Sequence, residues 1–326
     1  MNTQAKALQF NHLSLLPIDS LAALFGGLIC LSFSPIFIRL SEYDLSPNAT
    51  IFNRFWIAAI AFGLLSRFIT IHYRKRKNET QIESEKPHLA KAAKLLIADG
   101  VILSIGLMFW AWSLTQTSIA HSTLIHNLVP IFTVLGGWLA LSQTVDRRFM
   151  LGMFVTIFGS ALLDVNDLFS LRMSAELLGD LAALLSAVFF GIHPLIIKQL
   201  RNQFSPVTIM SWSSTTSALL LLPVVLITED QLFPSSLSGW LSVIGQALIS
   251  QMLGIGLWVY CLKKLSPGFT SLTALFIPFL SAVEGWVIFS ENLNFSTLVS
   301  FMIILLGMSL AISSRSSVNP EIKSSN

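Results

Sequence analysis

Residues 130–143, PIFTVLGGWLALSQ, return 148 positions later as residues 278–291, PFLSAVEGWVIFSE. In each stretch a proline stands seven residues ahead of a Gly-Trp pair and a serine follows: Pro130 with Gly137-Trp138 and Ser142, Pro278 with Gly285-Trp286 and Ser290. The same offset pairs Trp112 with Tyr260 and Gly159 with Gly307, without a gap from the end of the third apolar run onward. Earlier in the chain an offset of 159 pairs Pro35 with Pro194, Arg39 with Lys198 and Pro47 with Pro206. A chain that repeats itself in this way is built from two copies of one structural unit.

The quoted stretches lie inside long apolar runs. Hydrophobic residues make up 53% of the 326 and charged residues only 11%, against about 25% charged in a soluble domain; the mean hydropathy is +0.71. Ten runs, near 21–40, 50–71, 95–114, 120–141, 149–163, 177–199, 207–227, 241–262, 268–289 and 297–313, approach the roughly 20 residues needed to cross an apolar layer about 30 Å thick. They are continuous rather than alternating with period 2, which excludes a barrel and leaves helices as the structure that satisfies the backbone in lipid. The sequence therefore predicts an all-α integral membrane protein of ten transmembrane helices. Residues 21–163 and 177–313 form two five-helix repeats, flanked by an N-terminal segment 1–20 and a tail 314–326. Five is odd, so the second copy enters the membrane from the opposite side and the repeats are inverted.

Lys and Arg set the expected orientation. With the N-terminus inside, 17 of the 20 fall on the cytoplasmic side and three (Arg39, Arg54, Arg172) outside, so both termini are expected in the cytoplasm. The longest connection, 72–94, carries Arg74-Lys75-Arg76-Lys77 and is expected to be a solvated cytoplasmic loop. A net charge of +3 gives no reason to expect nucleic acid. Cys30 and Cys261 lie in separate apolar runs and read as small buried hydrophobes. No Walker loop, zinc motif or nucleophile–base arrangement is present, so no cofactor, metal site or enzymatic activity is expected.

With the ten runs, the two Pro…Gly-Trp segments and Ser290-Glu291 in view, the chain resembles the EamA branch of the drug/metabolite transporter superfamily over about residues 21–313. It departs where Gln143 stands in place of the glutamate usual after the fourth span. The resemblance implies a central cavity between the halves, with the fifth and tenth helices peripheral, and export or exchange of small metabolites such as amino acids. It also favours a plasma membrane, the bacterial inner membrane in particular.

Polar side chains inside spans are costly unless they pair or face water. Glu284, about 24 Å along the ninth helix at 1.5 Å per residue, matches His126 and Asn127 in depth. These three are expected to form one cluster that contacts solute or a proton. His193 is read either as pore lining or as a local helix partner of Pro194. Trp112 and Tyr260 belong to an aromatic set (with Trp110, Trp138, Trp258 and Trp286) that fits cavity walls or membrane interfaces. Asn53 and Arg54 open the second helix, where Arg54 attracts an anion or snorkels to the interface. Gln246 and Gln251 are secondary lining candidates. Pro35, Pro130, Pro194 and Pro278 are gate or helix-break candidates, with packing bends as the other reading. His121 reads as interfacial, and Asp99 and Asp180 as helix caps. The expected function is a secondary transporter working by alternating access on a small solute, in contact with lipid and with a proton or ion as a candidate coupled partner. An intramembrane enzyme and a non-transporting receptor are the alternatives. The sequence leaves oligomeric state open.

Overall fold

The computed structural model describes residues 17–76, 86–117, 119–162, 177–290 and 295–317, and the regular elements among them are helices. In chain order these are α1 (Ile18–Ser41), α2 (Pro47–Arg76), α3 (Lys86–Gln116), α4 (Ile119–His126 and Val129–Leu141), α5 (Arg147–Ala161), α6 (Leu177–Arg201), α7 (Pro206–Thr228), α8 (Leu237–Cys261), α9 (Pro267–Phe289) and α10 (Phe295–Ile312). Eight, all except α5 and α10, are long and apolar enough to cross a membrane; α10 contains a shorter apolar helix, Leu298–Ile312. The expectation of ten spans is thus met for eight, with two shorter helices, α5 and α10, packed on each other. Leu139, Phe158, Leu219, Ile227 and Leu306 are among many exposed apolar side chains on these helices, as a lipid-facing surface requires.

The connection predicted at 72–94 is shorter than expected. α2 runs to Arg76 and α3 begins at Lys86, because Lys, Arg, Leu and Ala are good helix formers and extend apolar helices into water. Residues 77–85, residues 1–16, Arg172, Glu291 and the tail beyond 317 lie outside the described residues, as does the side chain of His121.

Helix starts follow local chemistry. Serine before proline opens α2, α7 and α9: Ser46, Ser205 and Ser266 each accept from the backbone N–H three residues on, while Pro47, Pro206 and Pro267 supply a helical φ. Helix ends show the repeat in the backbone itself. Ser142 and Ser290 close α4 and α9 in the left-handed region, at φ 50° and 57°, with cap N–H groups bonded to Gly137 and Gly285 carbonyls. Among the described residues they are the two non-glycine positions with positive φ.

Three of the four prolines singled out mark breaks. α1 is interrupted at Phe33 before Pro35, α4 at Asn127-Leu128 before Pro130, and α9 by the 3-10 turn Ala274–Phe276 before Pro278. Pro194 lies within the uninterrupted α6. The breaks in α4 and α9 are repeat-equivalent; that in α1 is not matched in α6. α8 contains a π-helical stretch, Gln246–Ile255, without a counterpart in α3.

Packing obeys the same exchange. α1 packs on α8 as α6 packs on α3; α2 on α8 as α7 on α3; α1 on α9 as α6 on α4; and α2–α7, α4–α9 and α5–α10 pair across the pseudo-axis. Glycines allow the closest crossings. A Cβ on Gly27 of α1 would lie 3.0 Å from the Gly254 carbonyl oxygen of α8, and one on Gly152 of α5 would lie 2.6 Å from the Gly307 carbonyl oxygen of α10.

The two ends of the bundle differ. At the basic end, Lys264 binds Asp19 at 2.5 Å, Lys198 donates to the Lys263 carbonyl, and Arg201 donates to the carbonyls of Val259 and Phe204. Residues Leu265–Thr273, the start of α9, are wholly buried there, against the second part of α4 and α6. At the acidic end, Asp44 accepts from the backbone N–H groups of Ser235 (2.9 Å) and Ser236 (3.0 Å) and from both hydroxyls. Asn48 donates there to Glu229 and Asn53 to the Leu232 carbonyl. Repeat exchange would bring the first part of α4 against α9 at this end, but no comparable packing occurs among the described residues; that part of α4 lies on α3 and α6.

Candidate functional site

The breaks and the π stretch converge where α1, α2, α8 and α9 meet. The interruption of α1 leaves Ser32 and Ser34 on either side of Phe33. Ser32 Oγ donates to Glu284 Oε1 of α9 at 2.5 Å, and its carbonyl accepts from Ser281 at 2.7 Å. Ser34 meets Gln246 of α8 at 2.8 Å. The Gln246 carboxamide orientation that satisfies both its ends has the nitrogen donating to the Ser34 carbonyl (3.2 Å) and the oxygen accepting from Ser34 Oγ (2.8 Å) and Arg54 Nη1 (3.3 Å). Arg54 Nε of α2 also donates to Gln251 Oε1 at 2.8 Å.

The π stretch makes this possible. Positions five apart in an α-helix diverge by about 140°, whereas i→i+5 closure sets them nearly one above the other. Gln246 and Gln251, both buried, therefore reach the same guanidinium.

The result is a string of polar groups drawn from both repeats, with a cation toward one end and a carboxyl group at the other. Glu284 and Arg54 are half-buried, and neither joins the ion pairs found among the described residues. Glu284 Oε2 and Gln251 Nε2 have no hydrogen-bond partner. Buried polar atoms are normally satisfied, so these two are open to a further polar group.

Other predicted residues are placed elsewhere. His126 meets Ser186 of α6 at 3.2 Å and packs against the rings of Trp110 and Phe190. Asn127, at the α4 break, donates to Ser160 of α5 at 2.8 Å. Among the described residues neither is hydrogen-bonded to Glu284: their bonds go to α6 and α5 instead. Asn53 is fully buried and satisfied, donating to the Ala49 and Leu232 carbonyls and accepting from Trp56; it fastens the connection before α8. Arg54 lies seven residues inside α2, which starts at Pro47, and binds glutamine rather than reaching for an interface. Trp112 is exposed, and Tyr260 directs its hydroxyl to Asp19 at 3.4 Å.

His193 belongs to a pair that the sequence reading did not join. Its Nδ1 lies 2.9 Å from Asp99 Oδ1, with both residues buried and the contact lacking an aligned hydrogen bond. Asp99 is thirteen residues into α3 and caps nothing. Asp180 sits in the first turn of α6 and accepts from Thr117 at 3.1 Å.

A family profile for the EamA-like transporter family matches residues 20–164 and again residues 177–313. The chain belongs to the EamA-like transporter family. It is a multi-pass membrane protein of two EamA repeats and, with its family, a membrane transporter of small solutes. A solved protein crystal structure is similar in fold, with a TM-score of 0.74 at 15% identity over 92% of this chain and 100% of its own. A search of curated proteins gives no match.

Within this EamA chain, repeat equivalence shows where the site departs from symmetry. The 148 offset sets Glu284 against Gly136, and the 159 offset sets Arg54 against Ser213. Both charged groups thus exist in one repeat only. The signal missed in the sequence was this asymmetry: a charge in one copy where the other copy has a small residue.

Proposed function

We propose that the chain is a secondary transporter that carries a small zwitterionic metabolite, such as an amino acid, by alternating access. The observation that carries this reading is the string Arg54–Gln251/Gln246–Ser34 and Ser32–Glu284. A guanidinium suits a planar carboxylate, which it can bind through two N–H groups, and a carboxylate suits an ammonium. The unpartnered Gln251 Nε2 and Glu284 Oε2 add one donor and one acceptor. The ten helices are ten spans in an inverted pair, the basic end is cytoplasmic by the positive-inside rule, and the membrane is the plasma membrane. The start of α9 seals the basic end while the start of α4 stands off α9 at the other. This is an outward-facing arrangement, and exchanging the two packings between repeats gives its inward-facing counterpart.

The test is uptake into proteoliposomes of the twenty common amino acids, each radiolabelled and assayed singly. At least one is taken up saturably. Arg54→Gln and Glu284→Gln each raise its KM about tenfold to a hundredfold, corresponding to loss of a charged hydrogen bond of about 1.5–3 kcal/mol. Uptake of none, or KM values unmoved by both substitutions, overturns the reading.

A further inference from the structure

A second unmet polar demand lies where α3 crosses α6, away from the Arg54–Glu284 string. Asp99 is fully buried and neither carboxylate oxygen has an aligned hydrogen bond; His193 Nδ1, 2.9 Å from it, lacks one too. Ser213 of α7, whose carbonyl abuts Gly100, has a buried and unpartnered hydroxyl as well. On its other side the His193 ring stacks on Trp258 of α8, with centroids 6.3 Å apart and planes 3° apart. Asp99 is seven residues from Ala92, where the apolar span of α3 begins, and His193 eight from the end of α6 at Arg201. At 1.5 Å per residue both lie about 10–12 Å from the basic end.

The remaining ionisable groups on the surrounding helices are engaged with other partners or lie elsewhere. His126 of α4 is on Ser186, Asp180 is on Thr117 at the far end of α6, and Lys198 and Arg201 serve carbonyls at the basic end. Tyr260 turns to Asp19, Cys261 to the Ser20 carbonyl, and Lys94 on α3 is exposed. α7 and the first turns of α9 contain no ionisable residue.

The equivalent crossing in the other repeat is joined without an ionisable pair. The 159 offset carries His193 onto Ser34, and the 148 offset carries Asp99 to Ala247, next to Gln246. There the contact is the neutral Ser34–Gln246 hydrogen bond. A neutral pair therefore suffices to join these helices, and an ionisable pair in the same place is more expensive to bury.

We propose that Asp99 and His193 form a proton-binding site that controls opening of the basic end. Binding takes one proton from water onto the imidazole and converts a carboxylate–imidazole pair of net charge −1 into a neutral carboxylate–imidazolium pair; release reverses this. No other bond forms or breaks. The neutral pair tolerates the dry, sealed crossing. The singly negative pair needs water, so proton loss favours separation of α6 from α3 and, through Lys198 and Arg201 on α6, loosening of the seal. This goes beyond the solute reading and uses residues outside its cluster.

Both readouts are free of solute. Imidazolium quenches a stacked indole, so tryptophan emission of the protein in lipid nanodiscs falls in a one-proton step as acid is added. His193→Gln and, as the assignment control, Trp258→Phe abolish the step. Asp99→Asn, which removes the carboxylate facing the imidazole, displaces or abolishes the step. In a background carrying Asp19→Cys and Lys264→Cys, cross-linking by a short bismaleimide, normalised to mono-maleimide labelling of the same thiols at each pH, slows as pH rises through the step. The double substitution Asp99→Asn/His193→Gln, which restores a neutral pair, removes that change while keeping the protein folded. A step that survives His193→Gln, a midpoint unmoved by Asp99→Asn, or unaltered pH dependence of cross-linking in the double variant overturns the proposal. Failure of amino-acid uptake would refute the zwitterion reading and leave both readouts standing.

Discussion

Glycine-to-alanine substitution should have opposite effects at Gly63 and Gly307, and the difference measures how tightly α5 and α10 cross. A Cβ at Gly63 of α2 meets nothing within 4 Å. A Cβ at Gly307 of α10 meets the Thr156 nitrogen at 2.5 Å and the Gly152 carbonyl oxygen at 2.7 Å, where ordinary contact begins near 3.4 Å. Those obstacles are backbone and cannot rotate away, so the helices must part by about 0.7–0.9 Å. Both substitutions gain the helix propensity of alanine, about 1 kcal/mol. Gly307→Ala alone adds an overpacking cost of about 1–3 kcal/mol. Gly63→Ala is expected to stabilise, Gly307→Ala to be neutral at best and destabilising by up to about 2 kcal/mol, and the two to differ by about 1–3 kcal/mol. Equilibrium unfolding in mixed micelles, followed by circular dichroism, measures it. Equal shifts would refute the close-crossing argument. Because the Arg54–Glu284 string is formed by α1, α2, α8 and α9, transport per folded molecule should be unchanged in either variant.

Further outcomes follow from the two ends. Donors from Ser235, then Ser236, hold the Asp44 carboxyl below the usual carboxylate range. Its contribution is present above the unfolded value of about 3.9 and is lost as pH falls through the lower folded value. At neutral pH, Asp44→Asn should speed amide exchange at Ser235 and Ser236, read by mass spectrometry. The hydrogen bond from Lys264 to Asp19 raises the Lys264 ammonium above its usual range. That contact is complete below about pH 10.4 and is lost as pH rises through the higher folded value. Joining Asp19→Cys to Lys264→Cys by a cross-linker should lock the basic end and stop uptake; uptake that persists in the linked protein would contradict alternating access. Cys30 is half-buried and Cys261 fully buried, so N-ethylmaleimide should label Cys30 first, as peptide mapping would show.

The helical membrane class and the two repeats were legible because lipid imposes a simple rule: long apolar runs, satisfied backbones and charged corners. Even the equivalence of Ser142 with Ser290 could be read from spacing, and it reappears as matched left-handed caps. The candidate site was legible only as a set of residues. Glu284, Arg54, Gln246, Gln251 and His193 could each be named because polarity in an apolar run is conspicuous. Their partners could not, since contacts such as Ser32 with Glu284, 252 positions apart, depend on which helices cross and at what rotation. Depth suggested joining Glu284 to His126 and Asn127, but rotation about the helix axes directs those two toward α6 and α5. A π stretch brought Gln246 and Gln251 to one face, and it leaves no mark in the hydrophobic pattern. Sequence by itself determined which residues lipid would make costly. Tertiary structure decided which of them meet, because a helix fixes the spacing along its own axis but leaves its angle and rotation to the neighbours it packs against.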